Sequence, residues 1–295
     1  MLANGCTNTL QSSGQPVRFG VVADIQYAEK PEAMGRYYAD SREGLKRCVA
    51  DLSEKKPAFV IQLGDLIDGG ANAEQELREI VRIYRQLPMA GYHTLGNHDF
   101  GGLDRASVLQ TLGMEKSYYT FDAGAWRFVV LDTQDMAIQG GWGENSDRYL
   151  ASLAMMEALK AAGAENAVEY GGGIGTEQQR WLAEILTQAD AEGKRVIVCG
   201  HLPLMPLGDR HTAWNAREIV AALEAHPCVK AYFCGHQHGG GYRYVNGIHY
   251  VTFEAMVDAA RNGGAWAVVT LSPENIAIDG LGAVTSRTLK IDNDR

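Results

Sequence analysis

No run in this sequence approaches the roughly 18 consecutive apolar residues that a membrane-spanning helix needs, so an integral membrane segment is excluded. Excess positive charge is also missing. With 27 Lys and Arg against 36 Asp and Glu the formal charge is −9, which argues against a nucleic-acid partner or an anionic membrane surface. The five cysteines, Cys6, Cys48, Cys199, Cys228 and Cys234, contain no CxxC pair, and an odd, scattered set describes reduced thiols. Cys199 and Cys234 stand inside apolar runs, as small buried hydrophobes do. There is no internal repeat, low-complexity block or Pro/Ser-rich linker, so residues 17–295 are expected to form one domain.

What is present is a chain of 295 residues, 46% of them apolar, enough to bury a large core. Its acidity does not bar a small phosphorylated ligand, because bound metal ions can supply positive charge locally. The opening MLANGCTNTLQSSGQP is polar and short of strong helix formers, which predicts a flexible tail over residues 1–16. "ANGC" and its Thr/Ser/Gln-rich spacer also resemble the end of a bacterial lipoprotein leader. The compartment therefore stays open between the cytoplasm and an exported or lipid-anchored state, the latter requiring an apolar leader ahead of Cys6. Oligomeric state is not written in the chain.

Short apolar strands alternate with helical patterns: "VRFGVVAD", "RYYADSREGLKRCVADLSEK", "AFVIQLGD", "AEQELREIVRIYRQL" and "GYHTLGNHD" give a β-α-β-α-β rhythm and a parallel sheet. "YYTFDAGAWRFVVLDTQ" predicts a pair of strands, and a Gly-rich stretch from Gln134 to Gly175 is expected to hold one helix near Ala151–Ala162. In "TEQQRWLAEILTQADAEGK" a Thr of capping type precedes helical spacing. "RVIVCGH", "NAREIVAALEAH" and "VKAYFCGHQHGGG" resume the alternation. Asn246-Gly247 then marks a two-residue hairpin, with further strands in "GAWAVVTLS" and "NIAIDGL". The class is α/β. Two sheets packed face to face with helices outside, a four-layer α-β-β-α sandwich, accommodate both the parallel and the antiparallel stretches.

Five of the apolar runs end in a potential metal ligand: "GVVADIQ", "VIQLGD", "HTLGNHD", "VIVCGH" and "YFCGHQH". In α/β sheets ligands bind beyond the carboxyl ends of strands, so these turns should converge on one crevice. They would bring together Asp24, Gln26, Asp65, Asn97, His201, His236 and His238, an oxygen/nitrogen set without thiolate. Such a set suits Mn2+, Fe2+, Zn2+ or Mg2+. Two such ions roughly 3.5–4 Å apart can share one carboxylate and clamp a phosphoryl group. Each loop alone is weak evidence, since a single histidine at a strand end usually makes a structural hydrogen bond. Five in order, each after a buried strand, are not readily accidental.

The pattern D-x-Q, GD-x-x-D, GNHD, GH and GHQH resembles the calcineurin-like metallophosphoesterase superfamily, over roughly Arg18 to Leu289. That resemblance implies two mixed sheets flanked by helices with a dinuclear centre at the strand ends. It implies that Asp24, Gln26, Asp65 and His238 hold one metal, and that Asp65, Asn97, His201 and His236 hold the other. His98 would stand beside the substrate phosphate with Asp68 as its partner, and Asp99 is taken as structural. Gln26 departs from the histidine usual at that position. A neutral amide oxygen is a harder, weaker donor than imidazole and favours Mn2+. The Gln form is similar to the manganese-dependent ADP-ribose/CDP-alcohol diphosphatases, as are "YGGGIGTEQQRWLAEIL", "AWNAREIV" and "HYVTFEAMVDA", which contain Trp214, Asn215 and Glu254. The expected substrate is then a small nucleoside diphosphate compound, with Arg36 and Asn215 as candidate contacts. Met34 is the one sizeable apolar side chain in the shortened "EKPEAMG" loop, which leaves nucleoside preference open. Alternatives are a phosphomonoesterase or cyclic-nucleotide phosphodiesterase with the same metals, and a non-catalytic module on the same fold. The module should show lost ligands, whereas all seven positions here carry competent side chains.

Overall fold

The computed structural model describes residues 16–292. The tail expected over residues 1–16 therefore lies, apart from Pro16, outside the described residues. From the N-terminus, strand β1 (Val17–Val22) leads to helix α1 (Ser41–Lys55), β2 (Phe59–Gln62), α2 (Ala73–Tyr84) and β3 (Ala90–His93). Helix α3 (Arg105–Leu112) precedes the hairpin β4 (Tyr119–Ala123) and β5 (Trp126–Val130), and α4 (Asp147–Ala161) and α5 (Thr176–Ala191) follow. Then come β6 (Arg195–Cys199), α6 (Ala216–Glu224), β7 (Val229–Cys234), β8 (Gly241–Val245) and β9 (Ile248–Thr252). The chain closes with α7 (Met256–Ala259), β10 (Ala265–Leu271), β11 (Asn275–Gly282) and β12 (Arg287–Lys290).

One six-stranded sheet runs β12-β11-β10-β1-β2-β3 and the other β4-β5-β6-β7-β9-β8. In the first, β1, β2 and β3 are parallel, because a helix crosses over from β1 to β2 and from β2 to β3, while the C-terminal strands pair antiparallel. In the second, β5, β6, β7 and β9 are parallel, with an antiparallel strand at each edge. Both sheets are mixed, as the sequence pattern required.

Period-two alternation sorts the strand residues into layers. Val17, Phe19 and Val21 of β1 turn inward to meet Phe59, Phe128, Ile197 and Phe233 between the sheets. Phe19 and Phe128 cross edge to face with centroids 5.1 Å apart, a favoured aromatic geometry. Val22 and Val60 turn outward beneath Leu45 and Leu52 of α1 and Leu77 and Ile80 of α2. On the other outer face Val196, Val198 and Tyr232 pack under Leu182 and Leu186 of α5 and Ile219 and Leu223 of α6. This is the four-layer arrangement, and it leaves the carboxyl ends of β1, β2, β3, β6 and β7 open for side chains.

Two local expectations need correction. Helix α4 begins at Asp147, four residues before the expected start, because Ser146 caps it by accepting from the Tyr149 N–H at 3.2 Å. Thr176 is not the cap of α5: Gly175 holds that position without a side-chain bond, and Thr176 is the first helical residue. Asn246 and Gly247 do form the tight turn, both with positive φ (48° and 78°). Among the described residues the four cysteines are buried and free, and no helix is long and apolar enough to cross a membrane.

Candidate metal centre

Asp24 and Gln26 follow β1, Asp65 follows β2, and Asn97 and His98 follow β3, three neighbouring parallel strands of one sheet. His201 follows β6 and His236 and His238 follow β7, neighbours in the other sheet. The site therefore straddles the top of the sandwich, and side chains stitch the two halves together. His201 Nδ1 lies 2.8 Å from the Leu63 carbonyl, and the His236 N–H donates to both Asp24 oxygens at 3.0 Å.

Bringing so many side chains to one point bends the backbone. Seven non-glycine residues among those described have positive φ, and four of them are Asp24 (48°), Gln26 (41°), Asp65 (57°) and His236 (68°). Left-handed backbone at such residues costs on the order of 1–3 kcal/mol each and clusters at functional sites. Two glycines make the convergence possible. A Cβ on Gly96 would collide with the Asp65 carboxylate, and one on Gly235 with that of Asp24.

Asp65, His201 and His236 form a cluster whose donor atoms all lie within 4.8 Å of one another. With His201 Nδ1 engaged by the Leu63 carbonyl, its Nε2 is the ring atom turned to the centre, 3.3 Å from Asp65 Oδ2 and 3.2 Å from His236 Nδ1. Asn97 Oδ1, Gln26 Oε1 and His236 Nε2 are buried without a hydrogen-bond partner. A carboxylate and two imidazoles converging on one point, with unpartnered oxygen and nitrogen atoms buried among these residues, make a donor set that fits a divalent cation.

The electrostatics of these side chains support this. Burial pushes the Asp24 carboxyl up to about 6, against the pull of His201 and His238. Burial acts the same way on Asp65, but His201, His98 and His236 outweigh it and hold that carboxyl far below the usual range. Burial would neutralise His201; the charges of Asp65 and Asp24 overcome it and raise the imidazole to about 9. A proton on His201 thus supplies the positive charge that the two buried carboxylates demand. His236, denied a second proton by burial and by His201, is held well below its ordinary value.

Gln26 differs in detail from expectation. Its amide nitrogen, not its oxygen, faces the cluster, donating to Asp65 Oδ2 at 3.0 Å and lying 3.2 Å from His238 Nε2. Turning the amide over exchanges the two atoms and presents Oε1 instead. His98 has its Nδ1 3.0 Å from the Asp68 carbonyl and 3.4 Å from the Asp68 carboxylate, so the pairing is made through the backbone as well as the side chain. The other Asp68 oxygen is paired with Lys30. Asp99 is structural in a particular sense: its carboxylate accepts from the N–H groups of Gly96, Asp65 and Leu66.

Around the cluster lies a crevice of about 560 Å3. Arg36 lines it, and so do Gln139, Tyr170, Arg210, His211 and Asp258; Tyr170 and Asp258 fall inside the motifs "YGGGIG" and "HYVTFEAMVDA", though none of these five was a site candidate. Asp258 accepts from His238 Nδ1 at 2.8 Å, fixing which ring nitrogen faces the centre. Asn215 is not brought to the crevice. Its Oδ1 accepts from Ile174 N–H at 3.1 Å and its Nδ2 donates to Ile174 O at 2.8 Å, so both ends of the amide are engaged. That contact joins "AWN" to "YGGGIG", and Trp214 N–H adds a bond to Gly172 O. Glu254 accepts from Thr285 Oγ1 at 2.6 Å.

A family model described as calcineurin-like phosphoesterase matches residues 17–240. The chain is 30% identical over 323 residues to a Bos taurus protein named manganese-dependent ADP-ribose/CDP-alcohol diphosphatase, covering 95% of each. It is also 30% identical over 298 residues to the Oryza sativa protein of that name, covering 91% of this chain and 92% of the relative. A crystal structure of a dimetal phosphatase from Danio rerio superposes with a TM-score of 0.85 at 26% identity, over 94% of this chain and 99% of that one.

Proposed function

The chain belongs to the calcineurin-like phosphoesterase family, and from that premise we propose that it is a manganese-favouring diphosphatase of small nucleoside diphosphate compounds such as ADP-ribose and CDP-alcohols. One observation carries the reading: the Asp65–His201–His236 cluster at the open strand ends, with Asn97 Oδ1 and His236 Nε2 buried and unpartnered. Asp24, Gln26, Asp65 and His238 would hold one ion, and Asp65, Asn97, His201 and His236 the other. When bound, two such ions supply Lewis acidity and a water nucleophilic at neutral pH.

The chain's own residues do the remaining work. Asp99 fixes the loop that carries Asp65 by accepting its N–H. Asn97, whose Oδ1 is buried without a partner, would hold the ion through that oxygen and have its amide N–H groups left for a non-bridging phosphate oxygen, where charge builds up. His98, engaged at Nδ1 by Asp68, has Nε2 left to protonate the departing oxygen. Arg36 and Arg210 line the same crevice and offset the charge of the diphosphate. Water oxygen bonds to phosphorus, the bridging P–O bond breaks, and the proton from His98 ends on the departing phosphate. ADP-ribose would yield AMP and ribose 5-phosphate, and CDP-choline would yield CMP and phosphocholine.

The test is hydrolysis by metal-stripped protein reloaded separately with Mn2+, Mg2+ and Zn2+. Diphosphate compounds should be cleaved to nucleoside monophosphates, fastest with Mn2+. Cleavage of phosphomonoesters or cyclic nucleotides alone would overturn the assignment.

A further inference from the structure

Arg105, the first residue of α3, is buried, and its guanidinium ties the segment that follows His98 to the loop that follows β5. It lies between two rings, 5.0 Å from the Phe100 centroid and 4.3 Å from that of Trp142. It donates to the Gly140 carbonyl at 2.7 Å and to that of Gln134 at 3.4 Å, and it is paired with the fully buried Asp132. The Arg105 backbone N–H adds a bond of 3.0 Å to the Gly141 carbonyl. Only glycine suits position 141, where φ is +70° and a Cβ would collide with Phe100 and the Arg105 backbone. The other end of the loop is also fixed. Met136 and Gly173 exchange backbone bonds of 3.0 and 2.9 Å, and the Asp135 carboxylate accepts the Gly175 N–H at 2.8 Å. Between these anchors stand Ala137, buried, Ile138, half-buried, and Gln139, exposed. Gln139 lines the metal crevice beside Asn97 and His98.

We propose that Gln139 hydrogen-bonds a phosphate oxygen of the bound substrate and that Arg105, which never touches the substrate, is its positioning residue. The proposal rests on the diphosphatase reading above. A glutamine on a free loop would lose backbone and rotamer freedom each time a ligand bound; a loop anchored at both ends has lost most of it on folding. The guanidinium is the group that can do the anchoring. Its flat face fills the slot between the Phe100 and Trp142 rings while its in-plane donors reach Asp132, Gly140 and Gln134 together. A lysine ammonium would keep the Asp132 pair but neither fill the slot nor reach the carbonyls in the same fork.

A double-mutant cycle tests this, read as the Kd of α,β-methylene ADP, an uncleavable nucleoside diphosphate, for the Mn2+-loaded full chain. Gln139→Ala and Arg105→Lys should each weaken binding by about tenfold, as loss of one hydrogen bond to a charged oxygen does. The double variant should bind no more weakly than either single one, because both remove the same contact. For a cleavable diphosphate the loss should fall on KM rather than kcat, and the Mn2+ concentration for half-maximal activity should not move. Arg105→Met is unsuitable, since it strands Asp132 as an unpaired buried charge. Trp142→Leu removes one wall of the slot with the Asp132 pair intact, and it should reproduce the Arg105→Lys result with and without Gln139. Losses that multiply to about a hundredfold, an unchanged Kd in Gln139→Ala, or a shifted Mn2+ requirement would overturn this inference and leave the diphosphatase reading intact. A wild-type chain that neither binds the analogue nor cleaves a diphosphate would overturn both.

Discussion

Asp99 holds Asp65 from behind. One carboxylate oxygen of Asp99 accepts the Asp65 N–H at 3.1 Å and that of Gly96 at 2.9 Å, and the other accepts the Leu66 N–H at 2.7 Å. The loop after β2 and the loop after β3 are locked together by a side chain that touches no substrate. Burial and the neighbouring Asp65 charge push the Asp99 carboxyl up to about 7, so its three N–H donors are what make the position tolerable. Asp99→Asn turns an NH2 toward at least one of those donors, which costs about 1–3 kcal/mol for a buried unsatisfied group. The expected outcome is a lower melting temperature and a higher Mn2+ concentration for half-maximal activity. A variant with both values unchanged would show the clamp to be idle.

Gln26 supplies the prediction about metal choice. Gln26→His replaces a neutral amide by imidazole, a stronger donor for later transition metals and Zn2+. The fold should persist, since the side chain lies in the loop beyond β1 and outside the apolar core, and activity with Co2+ and Zn2+ should rise relative to Mn2+. Identical relative rates across the three metals would remove Gln26 from the ligand set.

How far the centre was legible in the sequence follows from where its parts sit. Asp24, Asp65, His201 and His236 each follow a buried apolar strand, and an acid or imidazole recurring at that place after four strands is what made them legible. Tyr170, Arg210 and His211 reach the crevice from irregular loops, and Asp258 from the four-residue α7, where no period relates sequence position to direction in space. Trp214 and Asn215 were conspicuous as a motif, but their partners, Gly172 and Ile174, lie about forty residues away, a pairing that only the folded chain shows. The short β12 and α7 escaped for a related reason: four residues carry too little pattern to stand out. Helix α3 did have a signal, Asp104 accepting from Ser107 N–H at 2.8 Å, in a D-x-x-S cap.

His93, away from the metal loops, governs an acid limb of stability. Burial, with Arg85 nearby, pushes its imidazole from 6.5 down to about 4, and its Nδ1 has no partner. The folded protein keeps this ring neutral while the unfolded chain charges it. Its contribution is therefore complete above pH 6.5 and lost as pH falls toward 4, by up to about 3 kcal/mol. Asp24 and Asp99, both raised, act with the opposite sign in that window, so the difference between variant and wild type is the quantity to read. Urea denaturation of metal-free His93→Phe between pH 4.5 and 7 should show the shallower loss on acidification. Parallel curves for the two proteins would refute the assignment.

His98→Ala should lower kcat by about a hundredfold or more while both metals still bind, because loss of a general acid typically costs that much. The loss should depend on the departing group: a nitrophenolate is a good anion without protonation and should suffer least. Asp68→Asn should give a weaker form of the same pattern, since the Asp68 carbonyl, 3.0 Å from His98 Nδ1, remains in place when the carboxylate charge is removed. Asp68 also anchors Lys30, so loosening of that loop must be separated from loss of the acid. Lys30→Gln does so: it breaks the ion pair but leaves the His98 contacts, and the ratio of rates for good and poor departing groups should stay at the wild-type value. If His98→Ala instead loses metal, or falls equally with both kinds of substrate, His98 binds or supports rather than donates a proton. If Lys30→Gln reproduces the Asp68→Asn pattern, Asp68 acts through Lys30 and not through the imidazole.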